Sequence, residues 1–244
     1  MIVLCTDYAS QLYTGQVHAR IANLDADIPI INAIDDLPAF DVDASAYLLH
    51  GLVKHYPKNC VIVGVVDPGV GGDRAPICFE LEGRLFAGPD NGLFSRIIRD
   101  SLDVVEIYRI SDIGMDVSKT FHGRDVFAPA AVKLLQNKDA MRKQPYNDCE
   151  SIRIARDMPD NLMRVIYVDG FGNCMTGIQS DSLSSGAKLR VNGLSVSYAE
   201  KFCDVNPGEG FWYINSIDLA EIAVNCGTAV KQYNLKTGVV VSVS

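Results

Sequence analysis

Carboxylates, a guanidinium and an imidazole stand at four places where strand-like runs end. In an open α/β sheet, ligands collect beyond the carboxyl ends of the strands, so these places come first. Thr6-Asp7 follows the first apolar run, and taken alone it is ordinary helix N-cap chemistry. Val65-Val66-Asp67-Pro68-Gly69-Val70-Gly71-Gly72-Asp73-Arg74 carries a strand into a glycine-rich loop, which raises phosphate binding. The Gly-Lys-Ser/Thr of a phosphate loop is missing, however, and Ala75-Pro76-Ile77-Cys78-Phe79 reads as another strand. A glycine loop without a helix behind it offers a phosphate no helix N-terminus, so that reading fails. A plain turn between strands accounts for the glycines but leaves Asp67 and Arg74 unexplained. Pro89-Asp90-Asn91-Gly92-Leu93 is good turn chemistry between a strand and a helix. Thr120-Phe121-His122-Gly123-Arg124-Asp125-Val126-Phe127-Ala128-Pro129 is the most specific segment, with His122 in a polar turn ahead of a helix that Asp125 or Pro129 could start. His18, His50 and His55 form no ligand pattern: there is no His-Glu-x-x-His, and His50 and His55 fall on different helix faces. No metal is expected.

The elements that must position these groups change character along the chain. Strand signals at Ile2–Thr6, Ile28–Asn32, Cys60–Val66, Ile77–Leu81, Leu85–Ala87 and Val104–Ile107 alternate with helical spacing at Leu12–Leu24, Ala44–Lys54 and Ala128–Leu135. Cys60–Val66 is a continuous β-branched run, the pattern of a strand covered on both faces. The reading is an α/β N-terminal domain with a mostly parallel sheet over residues 1–140. A charged, polar stretch containing Pro145 and Pro159 reads as a linker over 141–160. After it come short strands at Val165–Val168, Lys188–Val191, Leu194–Val196, Phe211–Ile214, Ile222–Val224 and Val239–Val243, and Asn192-Gly193 is a strong hairpin signal. Residues 161–244 therefore read as a small all-β, barrel-like C-terminal domain.

Composition narrows the classes of function. The chain has 244 residues, 48% hydrophobic and 21% charged, which is globular composition with room for a core that needs no staples. A net charge of −8, with no Lys/Arg cluster, argues against nucleic-acid binding. Val61-Ile62-Val63-Gly64-Val65-Val66 is among the longest apolar runs and is far too short to cross a bilayer. The opening Met1-Ile2-Val3-Leu4-Cys5 has no basic region ahead of it, so neither a signal peptide nor a membrane partner is expected. Seven cysteines, none in C-x-x-C spacing and several in apolar runs (Cys5, Cys60, Cys78, Cys226), read as reduced core residues in the cytoplasm.

Taken together and in order, the segments ending at Arg74, at Leu93 and at Pro129, with Asp169-Gly170-Phe171-Gly172-Asn173, resemble the S-adenosylmethionine (SAM) hydrolases. These are also called SAM hydroxide adenosyltransferases and are relatives of the fluorinase and chlorinase. The resemblance runs from Thr6-Asp7 to Ile214-Asn215-Ser216. It implies an α/β domain, a barrel-like domain and a homotrimer whose sites lie between the N-terminal domain of one subunit and the C-terminal domain of its neighbour. The reaction implied is SAM plus water giving adenosine and methionine, with no metal and no cofactor. The family's catalytic Asp, Arg and His match Asp67, Arg74 and His122. The halogenases replace the His-Gly pair with Tyr-Ser and lack the acidic residue, so this chain keeps the hydrolase version. By the same resemblance Asp7 holds the ribose hydroxyls, Asp169 and Ser216 meet the methionine amine and carboxylate, and Asn173 meets the adenine edge.

The chemistry explains that trio. The sulfonium leaves as a neutral thioether and needs no general acid, whereas water is a poor nucleophile near neutral pH. A guanidinium lowers the cost of hydroxide, while a carboxylate and an imidazole can take its proton and aim a lone pair at C5′. One departure stands out. The family pattern is Thr-Asp-Phe-Gly, two residues, Asp, then Tyr-Val-Gly; here Thr6-Asp7-Tyr8-Ala9-Ser10-Gln11-Leu12-Tyr13-Thr14-Gly15 lacks the second Asp. That Asp helps hold the methionine ammonium, and Ser10 or Gln11 would be a weaker, neutral replacement. Either SAM binds less tightly here, or the substrate is a 5′-substituted adenosine without the tail. A non-enzymatic binder of SAM or adenosine is the remaining alternative, and it gives the Asp/Arg/His set no work.

Overall fold

A computed structural model describes residues 1–101, 105–111, 117–137, 139 and 144–244, which divide into two compact units, Met1–Met158 and Pro159–Ser244. The first unit runs β1 (Ile2–Thr6), α1 (Gln11–Leu24), β2 (Ile30–Ile34), α2 (Val42–Val53), β3 (Val61–Val65), β4 (Pro76–Leu81), β5 (Arg84–Pro89), α3 (Ser95–Arg99) and β6 (Ile107–Arg109). A π-helical turn (Gly123–Phe127) then leads into α4 (Ala128–Gln136), and α5 (Glu150–Asp157) follows. The sheet order is β2-β1-β3-β5-β4-β6; β2, β1, β3 and β5 are parallel, and β4 and β6 pair antiparallel at one edge. Every residue of β1 and β3 is buried, as their unbroken apolar runs require once helices cover both faces. Phe127, Ala130, Ala131 and Leu134 of the last long helical stretch pack on Ile2, Leu4, Val61 and Val63 from the centre of the sheet.

Three expectations shift. The strand expected to start at Val104 is Ile107–Arg109, and 102–104 lie outside the described residues. The expected linker holds a helix, α5, which is part of the first unit. Its cap is not local: the buried Asp90 carboxylate accepts from the backbone N–H of Glu150 (2.8 Å) and of Ser151 (2.8 Å) and from the Cys149 thiol (3.2 Å). A cap supplied from sixty residues away leaves no signal in the helix's own sequence. Cys226 is the third case. It is exposed in a turn with φ of 55°, so the core reading fails for it, whereas Cys5, Cys60 and Cys78 are buried.

The second unit runs β7 (Leu162–Val168), β8 (Cys174–Gln179), β9 (Lys188–Val191), β10 (Leu194–Tyr198), β11 (Gly210–Ile214), β12 (Leu219–Val224), α6 (Ala229–Tyr233) and β13 (Val241–Val243). The sheet order is β13-β9-β10-β11-β12-β8-β7. Its two ends meet where Val165 N donates to Val239 O (2.8 Å) and Gly238 N to Val165 O (2.8 Å), giving a nearly closed barrel. Asn192 and Gly193 make the β9–β10 turn, with φ of 48° and 79°. Trp212 fills the barrel core, stacked at a tilt on Tyr198 with ring centres 4.8 Å apart, and its indole N–H donates to Ala187 O (3.1 Å). Strand β8 and helix α6 were not visible in the sequence pattern. No helix among the described residues is long and apolar enough to cross a membrane.

Candidate active site

The first unit holds a cavity of about 160 Å³ whose walls include Asp7, Tyr8, Phe40, Asp67, Phe121, His122 and Gly123. Topology brings the carboxylates together. Strands β1 and β3 are parallel neighbours with Thr6 opposite Val65, so Asp7 and Asp67 leave the sheet from the same edge. Asp7 N also donates to Val65 O (3.2 Å). The Asp-Asn-Gly turn supports the same edge: Asn91 Nδ2 donates to Val66 O at 2.8 Å, one residue ahead of Asp67.

Arg74 lies at the far end of the glycine loop and turns back between Asp67 and His122. Its Nε donates to both Asp67 carboxylate oxygens (3.0 Å each), and Nη2 donates to Asp67 Oδ2 and also meets His122 Nδ1 (2.6 Å). The guanidinium lies 5.5 Å from the centre of the Phe127 ring, which fixes its plane. A guanidinium only donates, so the Nδ1 facing it must carry a lone pair, and the proton of a neutral His122 sits on Nε2. Burial and the Arg74 charge both hold His122 below its ordinary pKa of 6.5, against weaker pulls from Asp67 and Asp125. At neutral pH the imidazole is therefore uncharged and presents an N–H donor from Nε2.

The loop carrying His122 is tied down. Asp125 accepts from Ser118 N (3.0 Å) and from Arg124 Nε (2.7 Å) and Nη2 (2.8 Å), and Arg124 Nη1 donates to Gln16 Oε1 (2.9 Å). The π-helical turn that follows is a distortion that recurs at functional sites. Asp7 is not a helix cap: Ser10 caps α1, accepting from Leu12 N (3.2 Å), and leaves the Asp7 carboxylate to the cavity. Burial raises the Asp7 pKa, with backbone N–H bonds from Phe40 and Asp7 opposing it and the Asp67 charge adding to it. Two carboxylates against one guanidinium leave the cavity suited to a cation.

The second unit holds a larger cavity, about 600 Å³, lined by Asp169, Phe171, Asn173, Phe202, Tyr213 and the 224–228 turn. Asp169 Oδ1 accepts from Phe171 N (2.9 Å) and Asn173 N (2.8 Å), and Oδ2 accepts from Asn173 Nδ2 (3.0 Å). The motif is thus a closed side-chain turn, and Phe171, which a simple turn reading would bury, is 80% exposed at the mouth. Ser216 stands exposed in the β11–β12 turn and is not among the residues lining this cavity. Its neighbour Asn215 is buried and holds that turn, accepting from Ile217 N (3.1 Å) and Leu219 N (3.0 Å).

Sequence reasoning missed Glu221 and Tyr213. Glu221 is 2% exposed and accepts from Tyr213 (2.8 Å) and Asn215 Nδ2 (2.8 Å). Burial pushes its pKa up more than those bonds pull it down. A lone Glu in the apolar run Leu219–Val224 was the available signal, since a buried carboxylate needs partners.

Residues 2–143 match the SAM hydroxide adenosyltransferase N-terminal domain, and residues 163–242 match the SAM hydroxide adenosyltransferase C-terminal domain. The chain belongs to the SAM hydroxide adenosyltransferase family. It is 30% identical over 248 residues to the (R)-S-adenosyl-L-methionine hydrolase of Salinispora tropica, covering 97% of this chain and 95% of that one. It is 32% identical over 190 residues to the (R)-S-adenosyl-L-methionine hydrolase of Methanocaldococcus jannaschii, covering 75% and 69%. A crystal structure of an uncharacterized conserved protein from Thermotoga maritima superposes with a TM-score of 0.87 at 28% identity, covering 100% of this chain and 99% of that one.

Proposed function

We propose that this protein hydrolyses S-adenosyl-L-methionine, in the R form at sulfur that its relatives' names specify, to adenosine and L-methionine. The observation that carries the reading is Arg74 bridging Asp67 and His122 at the edge of an acidic cavity. A water held there accepts a hydrogen bond from His122 Nε2 and gives one to Asp67, whose carboxylate keeps lone pairs free beside Arg74. The water oxygen bonds to C5′, the C5′–S bond breaks, and its electron pair stays on sulfur as the thioether of methionine. The water proton passes to Asp67. His122 thus acts as a donor that orients the nucleophile, and the carboxylate is the base. A cationic substrate meeting a negative site disperses charge on the way to the transition state, so neither a metal nor a cofactor is required. A homotrimer belongs to the same reading and rests on family resemblance, whereas a cytoplasmic location rests on the unpaired cysteines.

Incubation with the R and S epimers of SAM in oxygen-18 water, followed by mass spectrometry, tests the reaction. Adenosine labelled at the 5′-oxygen with unlabelled methionine is expected from the R epimer. SAM bound but unchanged would overturn hydrolysis in favour of a binder. A second reading has a specific observation behind it: Ser10, one of the two neutral replacements for the missing Asp, is committed to capping α1, which weakens the hold of this loop on an ammonium. A 5′-substituted adenosine without the amino-acid tail would then turn over faster than SAM in the same assay.

The His122 environment sets the acid side of the pH profile. The site needs the neutral imidazole, which persists below pH 6.5 because its pKa is held below that value. The acid limb is therefore expected to have its midpoint below 6.5, as His122 gains a proton at Nδ1 and repels Arg74. An acid limb centred above 6.5 in a kcat–pH titration would contradict this tautomer.

A further inference from the structure

We infer that the Tyr8 hydroxyl is a further catalytic group of this site, donating a hydrogen bond to the attacking water; the inference rests on the hydrolase reading above. Tyr8 lines the same cavity as Asp7, Asp67 and His122, and its hydroxyl oxygen is buried without a bonding partner among the described residues. A buried hydroxyl bonded to nothing is costly, so its retention points to a partner that arrives with the reactants. Its placement is at the His122-Gly123 wall of the cavity. The hydroxyl occupies the space that a side chain at residue 123 would need: a Cβ built on Gly123 would overlap it and lie 3.0 Å from Tyr8 Cζ. Gly123 follows His122 directly, so the hydroxyl lies against the backbone next to His122, and both residues line the same cavity.

The ring cannot swing away freely. Tyr8 packs against Phe121 (5.6 Å between ring centres, 81°) and Tyr13 (6.0 Å, 54°), and Tyr13 closes the triangle on Phe121 (5.8 Å, 88°). Such edge-on contacts fix the ring in position before the reactants bind. The phenol also keeps its proton, because burial and the charges of Asp7 and Asp67 push its pKa well above the ordinary value for tyrosine. A permanently protonated phenol is a donor, and the water oxygen, on giving its proton to Asp67, has three lone pairs: two accept from His122 Nε2 and Tyr8 while the third attacks C5′.

Tyr8→Phe removes the hydroxyl and keeps the ring. Adenosine release from R-SAM is followed for kcat and KM, with thermal unfolding measured alongside. The expected result is a kcat about tenfold lower, KM changed by less than about twofold, and an unfolding temperature that does not fall. An unchanged kcat overturns the inference alone, provided the wild-type protein releases adenosine. A higher KM at constant kcat overturns it too, since the hydroxyl would then be binding substrate. A kcat loss accompanied by a lower unfolding temperature makes Tyr8 structural and also overturns it. A wild-type protein that releases no adenosine overturns the hydrolase reading, and this inference with it.

Discussion

Asp67→Asn lowers kcat for adenosine release by about a thousandfold, the loss expected when a positioned general base is neutralised. The amide keeps one oxygen that can accept from Arg74 but has little affinity for a proton, so water must attack without giving one up. The side chain is nearly fully buried against Arg74, and among the described residues the guanidinium keeps His122 as its remaining side-chain acceptor. A stability loss of about 1–3 kcal/mol accompanies the change, since a charged donor then faces a weaker partner. Steady-state kinetics with calorimetric unfolding separates the two effects. An Asp67→Asn variant that unfolds like wild type and keeps kcat within about tenfold would remove Asp67 from the role of base.

Gly71→Ala produces the second large effect through backbone geometry. Gly71 has φ of 78°, and a Cβ there would overlap the Lys119 carbonyl oxygen. The glycine loop therefore lies directly on the segment leading into His122, and this close approach lets Arg74 reach the imidazole from a different part of the chain. Ala on the same backbone bears a left-handed strain of about 1–2 kcal/mol and must also push the two loops apart to make room for its Cβ. Separation of the loops breaks the Arg74–His122 contact, and misplacement of about 1 Å at a catalytic group costs roughly a hundredfold in rate. A fall of that size in kcat is expected, with destabilisation of about 2–4 kcal/mol. Gly69→Ala is the control, because its Cβ would meet only Arg74 Cγ at 3.9 Å. Equal activity of the two variants would dissociate the loop contact from catalysis.

Much of the frame was readable because its signals are local. The β-branched run ending at Val66 could only be a covered strand, and Asn192-Gly193 could only be a tight turn between strands. The trio proposed as catalytic was readable in part. Asp67 and Arg74 flank a glycine loop that phosphate binding does not explain, and His122 sits in the most distinctive segment, but only the fold shows that Arg74 joins them. The tautomer of His122 follows from which atom faces the guanidinium, and no residue pattern encodes that. Helix α5 was missed because its cap is donated by Asp90. Glu221 looked like part of an apolar strand because its partners, Tyr213 and Asn215, lie on β11 and in the turn beyond it, and only pairing brings them to it.

The Asp90 bonds to α5 bear on how the chain can be cut. The N-terminal family match stops at residue 143, ahead of Glu150–Asp157. A fragment ended there would bury a carboxylate with its two amide partners and its thiol removed, and would uncover the surface of α3 on which α5 packs. The natural incision lies after Met158, where the compact unit ends. Ended at that residue, the α/β half keeps Asp7, Tyr8, Asp67, Arg74 and His122 together with the Asp90 cap of α5.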